Sequence, residues 1–220
     1  MARLSHSGST RRLRVRLFPI GFAGEVMLQI LETWRGLSLR RKVRNETAIT
    51  AIFRDALISA YVAAGRNWFI TLEDPTTDPD FGTELGRNDL RFYPVNHHHG
   101  QTTFFTVECK RLRVPTPSGV RTLADKYAEE GIQRFVDGKY SVGLPCGGMV
   151  GYVMDNETST AFASIQAEIA SKRKPLKLAA KHGIRTPSVV LPNYEWSADT
   201  LHDRDVNKFL VHHVLLGVKK

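Results

Sequence analysis

The sequence predicts a mixed α/β fold, in which a central mixed sheet is flanked by helices, and two observations support this class. Apolar residues recur with the 3.6-residue period of a helix in some segments and alternate with the period of a strand in others. These segments follow one another as helix, three strands, helix and strand, with additions at both ends. Because the 220 residues contain no internal repeat and no low-complexity tract, one core accounts for the pattern.

The clearest helical segment begins after Asn45, a residue type that caps helix N-termini. Apolar residues from Ile49 to Ala64 fall on one stripe of this helix, and Gly65 follows as a typical C-terminal stop. Thr122 is the expected capping residue of a later helix. In all, helices are predicted over residues 25–34, 45–64, 122–137 and 158–173.

Strands are predicted where apolar and polar residues alternate. These segments are residues 67–73, 89–95, 102–112, 149–154 and 206–217, the last of which also suits a helix. Residues 74–88 are rich in Pro, Gly and Asp and are predicted to form a loop. The three histidines at 97–99 are interpreted as a hairpin tip rather than a zinc site, because adjacent loop residues rarely converge on one ion.

The positive charge is concentrated at the N-terminus. The chain has 31 Lys and Arg against 22 Asp and Glu, a net charge of +9, and residues 1–44 contain 10 basic and 2 acidic residues. A second basic patch, residues 172–185, has six basic residues and no acidic one. Such a field favours polyanions. The chain is therefore divided into a basic N-terminal extension (residues 1–43) and one domain (residues 44–220).

The cysteine content and the hydropathy indicate the cellular compartment in which the protein is expected. Cys109 and Cys146 are the two cysteines and cannot form a disulfide scaffold, which is typical of a reducing, cytoplasmic environment. No apolar run approaches the roughly 18–20 residues that span a membrane, so no membrane partner is expected.

The most informative residues lie at the end of the apolar strand over 102–112. Alternate side chains of a strand share a face, so Glu108 and Lys110 project together while Cys109 and Arg111 point to the other side. Buried and unpaired, such charges would cost several kcal/mol each. Two interpretations remain open from the residues alone: a salt bridge on a half-exposed strand, or a metal ligand beside a lysine that positions a water.

Two more carboxylates are expected near this pair. Asp89 begins the preceding predicted strand, and a hairpin can bring its carboxylate close to Glu108; Glu84 is the alternative to Asp89. Glu46 lies at the N-terminal end of the apolar stripe of the 45–64 helix, from which it can lean over the sheet. Three carboxylates and one lysine form the outline of a site for hydrolysis assisted by a divalent metal.

An acidic helix, Asp89 on a strand, Glu108-Cys109-Lys110 at the end of the next strand, then a helix and another strand resemble the PD-(D/E)XK nuclease superfamily. The resemblance covers roughly residues 44–155, with 206–217 as an added strand, and the chain departs from the motif because Asn88 precedes Asp89 where the name has proline. It implies a restriction-endonuclease-like core with Mg²⁺ or Mn²⁺ bound by Asp89, Glu108 and the main-chain carbonyl of Cys109.

The resemblance also implies roles for the other residues. Lys110 would orient the attacking water, and Glu46 would hold a second metal or a metal-bound water. Arg134 and Lys139, at the end of the following helix, and Arg111 are the candidate contacts to the DNA backbone.

The expected activity is that of an Mg-dependent deoxyribonuclease, with DNA as partner and with restriction or phage defence as the expected role. Two alternatives remain open: a DNA-binding module that keeps the fold without the chemistry, and a subunit of a larger nucleic-acid-processing complex. A homo-oligomer or a partner protein subunit is compatible with each of them.

Overall fold

The computed structural model describes residues 18–19, 21–39, 43–65, 68–77, 84–95, 103–179, 183–204 and 207–219. The strands of this part of the chain are β1 (Trp68–Thr77), β2 (Glu84–Pro94), β3 (Phe105–Leu112), β4 (Val114–Thr116), β5 (Gly119–Arg121), β6 (Cys146–Val153), β7 (Ile184–Arg185), β8 (Ser197–Asp203) and β9 (Lys208–Gly217). The helices are α1 (Phe22–Gly36), α2 (Glu46–Ala63), α3 (Ala124–Tyr127), α4 (Gln133–Val136) and α5 (Thr158–Ser171), and a π-helical segment (Ala128–Ile132) joins α3 to α4.

The centre of the fold is a seven-stranded mixed sheet in the order β1-β2-β3-β6-β9-β8-β7. β3, β6 and β9 run parallel to one another, while β1 and β2 on one side, and β8 and β7 on the other, are antiparallel additions. β4 and β5 form a separate two-stranded ribbon. The predicted mixed α/β class, with a central mixed sheet flanked by helices, is confirmed.

Helices cover both faces of the sheet. α1 and α2 pack on the face that carries Val107 and Cys109 of β3, and α3 to α5 pack on the opposite face. Trp34 of α1 is 6% exposed, and its indole N–H donates to the carbonyl of Gly217 at 2.8 Å. α1 therefore shares the core of the sheet although it precedes residue 44. Among the described residues, no helix is both long enough and apolar enough to cross a membrane.

The prediction of a loop over residues 74–88 is wrong. β1 continues to Thr77 and β2 already begins at Glu84, so Asp89 lies inside a strand rather than at its start. Pro75 suggests a strand end in the sequence, but β1 is an edge strand of the sheet. At an edge, the missing N–H of proline can face away from the ladder without loss of a hydrogen bond.

Other boundaries also differ from the sequence interpretation. The helix predicted from Thr122 begins at Ala124, after Leu123 in the left-handed conformation (φ 55°), so Thr122 does not cap it. The residue pattern does not predict β8, because polar residues occupy its buried positions and hide the strand period. Residues 208–217 form a strand, which settles the choice between helix and strand there.

A chain of buried hydrogen bonds joins α3, β9, β8 and the turn after α5. His202 Nδ1 lies 2.7 Å from the carbonyl of Leu176, which only accepts, so this nitrogen carries the proton and Nε2 accepts from the Thr200 hydroxyl at 2.7 Å. Thr200 Oγ1 then accepts from His213 Nε2 at 2.7 Å, and His213 Nδ1 accepts from the Tyr127 hydroxyl at 3.0 Å. Every donor has an acceptor only when both histidines are neutral.

This series of hydrogen bonds predicts that His202 and His213 make the folded protein less stable in mild acid. Burial lowers the pKa of His202 to about 4, and burial together with the nearby His202 lowers the pKa of His213 to about 3, both from 6.5. Between pH 6.5 and 4 the unfolded chain therefore binds protons that the folded chain excludes. The two histidines should therefore contribute a fall in the free energy of unfolding as the pH is lowered, by up to about 1.4 kcal/mol per pH unit for each. Glu108, whose pKa is raised, contributes with the opposite sign, so the histidine contribution is the difference between the wild type and a variant without the histidine.

Urea denaturation between pH 7 and 5 would measure this dependence. His202→Asn keeps an N–H for the Leu176 carbonyl but has no group that titrates, so its free energy of unfolding should be lower at pH 7 and vary less with pH. If the free energy of unfolding of His202→Asn varied with pH as much as that of the wild type, His202 would not be a source of the pH dependence.

Candidate active site

The site is built where two strands separate. The antiparallel pairing of β2 with β3 ends at the pair Leu90–Val107. Beyond this pair, Asp89 Oδ2 accepts a hydrogen bond from the main-chain N–H of Cys109 at 2.6 Å. A side-chain carboxylate thus replaces the missing strand, as an unpaired N–H in a buried position would be costly.

Glu46 reaches the point where β2 and β3 separate, here called the fork, from the start of α2. The helix is capped by Asn45, whose side-chain oxygen accepts from the Thr47 N–H at 2.9 Å. Glu46 Oε2 accepts from the main-chain N–H of Arg111 at 2.8 Å, and Glu46 Oε1 lies 3.3 Å from Lys110 Nζ. The structure therefore brings Glu46 to the carboxylate cluster, as expected from its place on the apolar stripe of the helix.

Lys110 connects the acidic groups. Its ammonium donates to Glu108 Oε1 at 2.7 Å, to the carbonyl of Cys109 at 3.1 Å and to Glu46 Oε1 at 3.3 Å. Glu108 and Lys110 thus share a face of β3, as strand alternation predicts. Both are buried, so the interpretation as a salt bridge on a half-exposed strand is wrong about exposure, although the ion pair itself exists.

Glu108 is fully buried and incompletely paired. Its Oε1 accepts from Lys110 and, at 3.0 Å, from Arg134 Nη1, whereas Oε2 is buried and has no hydrogen-bond partner within the described structure. A carboxylate oxygen left without a partner in a protein interior is rare and costly. It indicates a position where a ligand can bind.

The electrostatics of the cluster reflect an excess of negative charge. Burial, with the charge of Asp89 added, raises the pKa of Glu108 to about 8 against the opposing effects of Lys110 and Arg134. Burial likewise raises the pKa of Asp89. Burial alone would lower the pKa of Lys110, but the charges of Glu108, Asp89 and Glu46 outweigh it and raise that pKa. Three carboxylates face two cations, so the cluster can accept further positive charge.

Tyr140 belongs to the site although sequence reasoning missed it. Its hydroxyl accepts from Arg134 Nη1 at 2.6 Å and donates to the carbonyl of Arg87 at 2.6 Å. The residue lies in the irregular turn after α4, which Gly138 reverses with a φ of 73°. No periodic pattern covers such a turn, so no sequence signal could have selected Tyr140.

The three predicted nucleic-acid contacts have different surroundings. Arg134 contacts Glu108 and is partly exposed, so it belongs to the cluster and also reaches solvent. Lys139 lies just past Gly138 and is exposed. Arg111 projects from the other side of β3, and its guanidinium donates to the carbonyl of Arg44 at 2.6 Å.

A second polar group, on β8 and β9, has the residue types of a hydrolase but not the geometry. Asp199 Oδ1 accepts from Ser188 Oγ at 2.5 Å and lies 2.8 Å from His212 Nδ1, and all three residues are buried. A serine nucleophile needs its hydroxyl on the histidine. Here the hydroxyl donates to the aspartate, so the group ties the segment before β8 to the sheet.

The predicted metal ligands form an oxygen donor set. Within the described ranges, no group of three or more His, Cys, Asp and Glu side chains is placed to hold an ion. The predicted set is two carboxylates and the main-chain carbonyl of Cys109, so this finding does not bear on it. Residues 97–99 and the side chain of Glu84 lie outside the described residues.

Comparisons with protein-family models, with curated proteins and with solved structures find no match to this chain.

Because the Tyr140 hydroxyl bridges Arg134 and the Arg87 carbonyl, its removal should make the folded protein less stable. Tyr140→Phe would leave the Arg87 carbonyl without this donor and Arg134 without this acceptor, which should lower the free energy of unfolding by about 1–2 kcal/mol. Urea denaturation at neutral pH measures the change. Tyr61→Phe is the matched control, because the Tyr61 hydroxyl makes no hydrogen bond within the described residues, and equal costs for the two variants would contradict the bridging role.

Proposed function

We propose that this protein is a divalent-metal-dependent nuclease of the PD-(D/E)XK type that hydrolyses phosphodiester bonds, with DNA as the favoured substrate. The observation that supports it best is the meeting of Asp89, Glu108, Lys110 and the Cys109 carbonyl where β2 and β3 separate. A hydrolytic site needs a place for a cation, a group that orients water and a group that binds phosphate.

The donor set suits Mg²⁺ or Mn²⁺. Asp89, Glu108 and the carbonyl of Cys109 supply the hard oxygen atoms that these ions prefer. Glu108 Oε2 is buried without a hydrogen bond, so its lone pairs are unused within the described structure. When bound, such an ion stabilises negative charge on the phosphate and the leaving oxygen and lowers the pKa of a water molecule.

The remaining groups would orient the reactants. The three protons of the Lys110 ammonium go to Glu108, the Cys109 carbonyl and Glu46. A metal held by Glu108 and that carbonyl would take over those two oxygens, and the lysine would then have donors for the attacking water and a phosphate oxygen. Glu46 would hold Lys110 in place and contact a metal-bound water. Arg134 would reach the substrate phosphate from α4, with Tyr140 fixing its guanidinium.

The order of elements around the site supports a restriction-endonuclease-like core. Helix α2 comes first and places Glu46, the antiparallel strands β1 to β3 carry Asp89 and Glu108, and α3 and α4 then cross to β6, which pairs parallel to β3. β9 adds a further parallel strand beside β6, at the position expected for residues 206–217.

One observation favours a second candidate, a nucleic-acid-binding module without activity. Lys110 already bonds Glu108 and the Cys109 carbonyl, so the ion pair could complete the site without a metal. Such a module would keep the basic segments and the salt-sensitive binding. Restriction or phage defence rests on the resemblance alone. A place in a larger complex is inferred from the apolar segment 206–217, which contributes strand β9 to the sheet.

Substitution of the site residues tests the proposal. With Mg²⁺, Lys110→Met and Glu108→Gln should each reduce cleavage of plasmid or oligonucleotide DNA by at least about 100-fold, because each removes a group that acts on the reacting atoms. Gel analysis of the products measures the rate, and chelation of the metal should abolish cleavage by the wild type.

Lys126→Met is the matched control, since Lys126 forms an exposed ion pair with Glu130 on α3 and the π-helical segment. It should cut like the wild type, because such surface pairs contribute little to stability. A wild type that binds DNA but never cuts it with Mg²⁺ or Mn²⁺ would favour the inactive module.

The basic N-terminal segment gives a separate prediction. Residues 1–17 contain five arginines and no acidic residue, and they precede helix α1, so their removal keeps every core residue that the structure describes. Truncation should weaken DNA binding and reduce the slope of log affinity against log salt by up to about 0.9 for each phosphate that these arginines neutralise. Titrations at several salt concentrations measure this, and an unchanged slope would mean that the arginines do not bind DNA.

A further inference from the structure

An aromatic surface lies on the same sheet face as the candidate active site. Phe69 of β1 is directly opposite Tyr93 of β2, and Tyr93 is an even number of residues from Asp89 on its strand. Phe104, just before β3, contacts Tyr93. We name these three residues, Phe69, Tyr93 and Phe104, the aromatic row. Helix α2 packs against β1 and β2 on the opposite face, where Trp68, Leu90 and Phe92 are buried.

The rings of the aromatic row are held in fixed positions. The rings of Phe69 and Tyr93 stack at 4.8 Å with an interplanar angle of 11°, and Tyr93 and Phe104 lie 5.7 Å apart. Arg91 contacts two of the rings. Its guanidinium lies 4.4 Å from the Phe104 ring and donates a 3.1 Å hydrogen bond to the Tyr93 hydroxyl. The result is an aromatic surface of several rings in contact rather than a single isolated side chain.

Phe69 is the accessible end of the row. It is 44% exposed, whereas Tyr93 and Arg91 are buried. One ring face of Phe69 is occupied by Tyr93, which leaves its remaining surface to solvent. A large exposed aromatic residue held by stacking on an edge strand offers a flat apolar surface that a second planar group can cover.

The row is close enough to serve the same ligand as the site. Tyr93 and Asp89 are four residues apart on β2, which places them about 13 Å apart along the strand. Cations lie on the same face near the site: Arg134 is partly exposed, and Arg87 of β2 shares the parity of Asp89 and is exposed. Planar stacking groups and cations along one path are the features that bind a single nucleic-acid strand.

We propose that the aromatic row stacks an unpaired base of a nucleic-acid strand whose backbone runs to Glu108 and Lys110. This inference rests on the proposed nuclease function and specifies its substrate class, a single strand or a duplex with an unpaired segment. The bases of an intact duplex turn their faces to each other and cannot cover Phe69. Every base has a planar face, so the row selects strandedness rather than sequence.

The test separates stacking from general hydrophobicity. Phe69→Leu keeps an apolar side chain without a ring, Phe69→Tyr keeps the ring, and Val62→Ala is a control at an exposed apolar residue on α2, the helix that covers the opposite face of β1 and β2. Fluorescence anisotropy with labelled single-stranded DNA, RNA of the same sequence and the matching duplex, without divalent metal, measures affinity apart from cleavage. Cleavage of the same substrates is then followed with Mg²⁺.

Phe69→Leu should weaken single-strand binding by about 5- to 100-fold and leave duplex binding unchanged, while Phe69→Tyr and Val62→Ala should bind like the wild type. Comparison of DNA with RNA identifies the strand that the row accepts. Circular dichroism confirms that each variant folds.

The outcomes distinguish this inference from the proposed function. Ring-dependent binding of single strands without any cleavage would refute the nuclease and support the row. Cleavage by the wild type with equal affinity in Phe69→Leu, or a preference for intact duplex, would refute the row and leave the nuclease. If Phe69→Leu changes the mass in solution rather than the affinity for oligonucleotides, the row is a protein interface and the inference is wrong.

Discussion

The site depends on the separation of β2 from β3. A central strand that loses its neighbour on one edge leaves main-chain N–H groups in a buried position, and each would cost about 1–3 kcal/mol without a partner. Asp89 and Glu46 accept these hydrogen bonds at Cys109 and Arg111. The same contacts that complete the strand edge bring two carboxylates to Glu108 and Lys110. The contacts that complete the strand edge are therefore also the contacts that position the site.

The charges in this fork are a poor source of stability. Burying ion pairs costs desolvation that their attraction barely offsets, and well-packed apolar residues often serve a core better. Glu108 is nevertheless fully buried with one oxygen unpaired in the described structure, and three carboxylates meet two cations. Perturbed titratable groups gathered at one place are a mark of functional sites. The arrangement is easier to explain by the binding of a cation and a phosphate than by the needs of the fold.

The two ends of the sheet use polar residues differently. On the β8 side, His202, Thr200 and His213 form a chain in which every donor has an acceptor, and Asp199 satisfies both Ser188 and His212. These side chains are buried, and each makes at least one hydrogen bond within its network. On the β2 side, the cluster has an oxygen without a partner among the described residues, and the neighbouring face carries an exposed aromatic ring. The proposed ligand site is therefore on the β2 side.

Local patterns in the sequence were sufficient for the fold class, the helix that carries Glu46 and the common face of Glu108 and Lys110, because periodicity and strand alternation are local properties. The resemblance, rather than a local pattern, pointed to Arg134, and it did so as a substrate contact rather than as a partner of Glu108. Local patterns did not predict the roles of Tyr140 and the aromatic row. Tyr140 depends on a chain reversal at Gly138. Phe69 and Tyr93 lie in two predicted strands, but their contact depends on the register between these strands, which residue types do not give.

The pairing of the strands in three dimensions controls which main-chain groups need another partner, and through them where the carboxylates converge. Asp89 is one of several acidic residues in its segment, and its position at the fork follows from the point where β2 stops pairing with β3. That point depends on contacts between residues far apart in the chain, which no local pattern encodes. Residue types predict which chemistry is available, whereas the register of the strands decides which groups can act together.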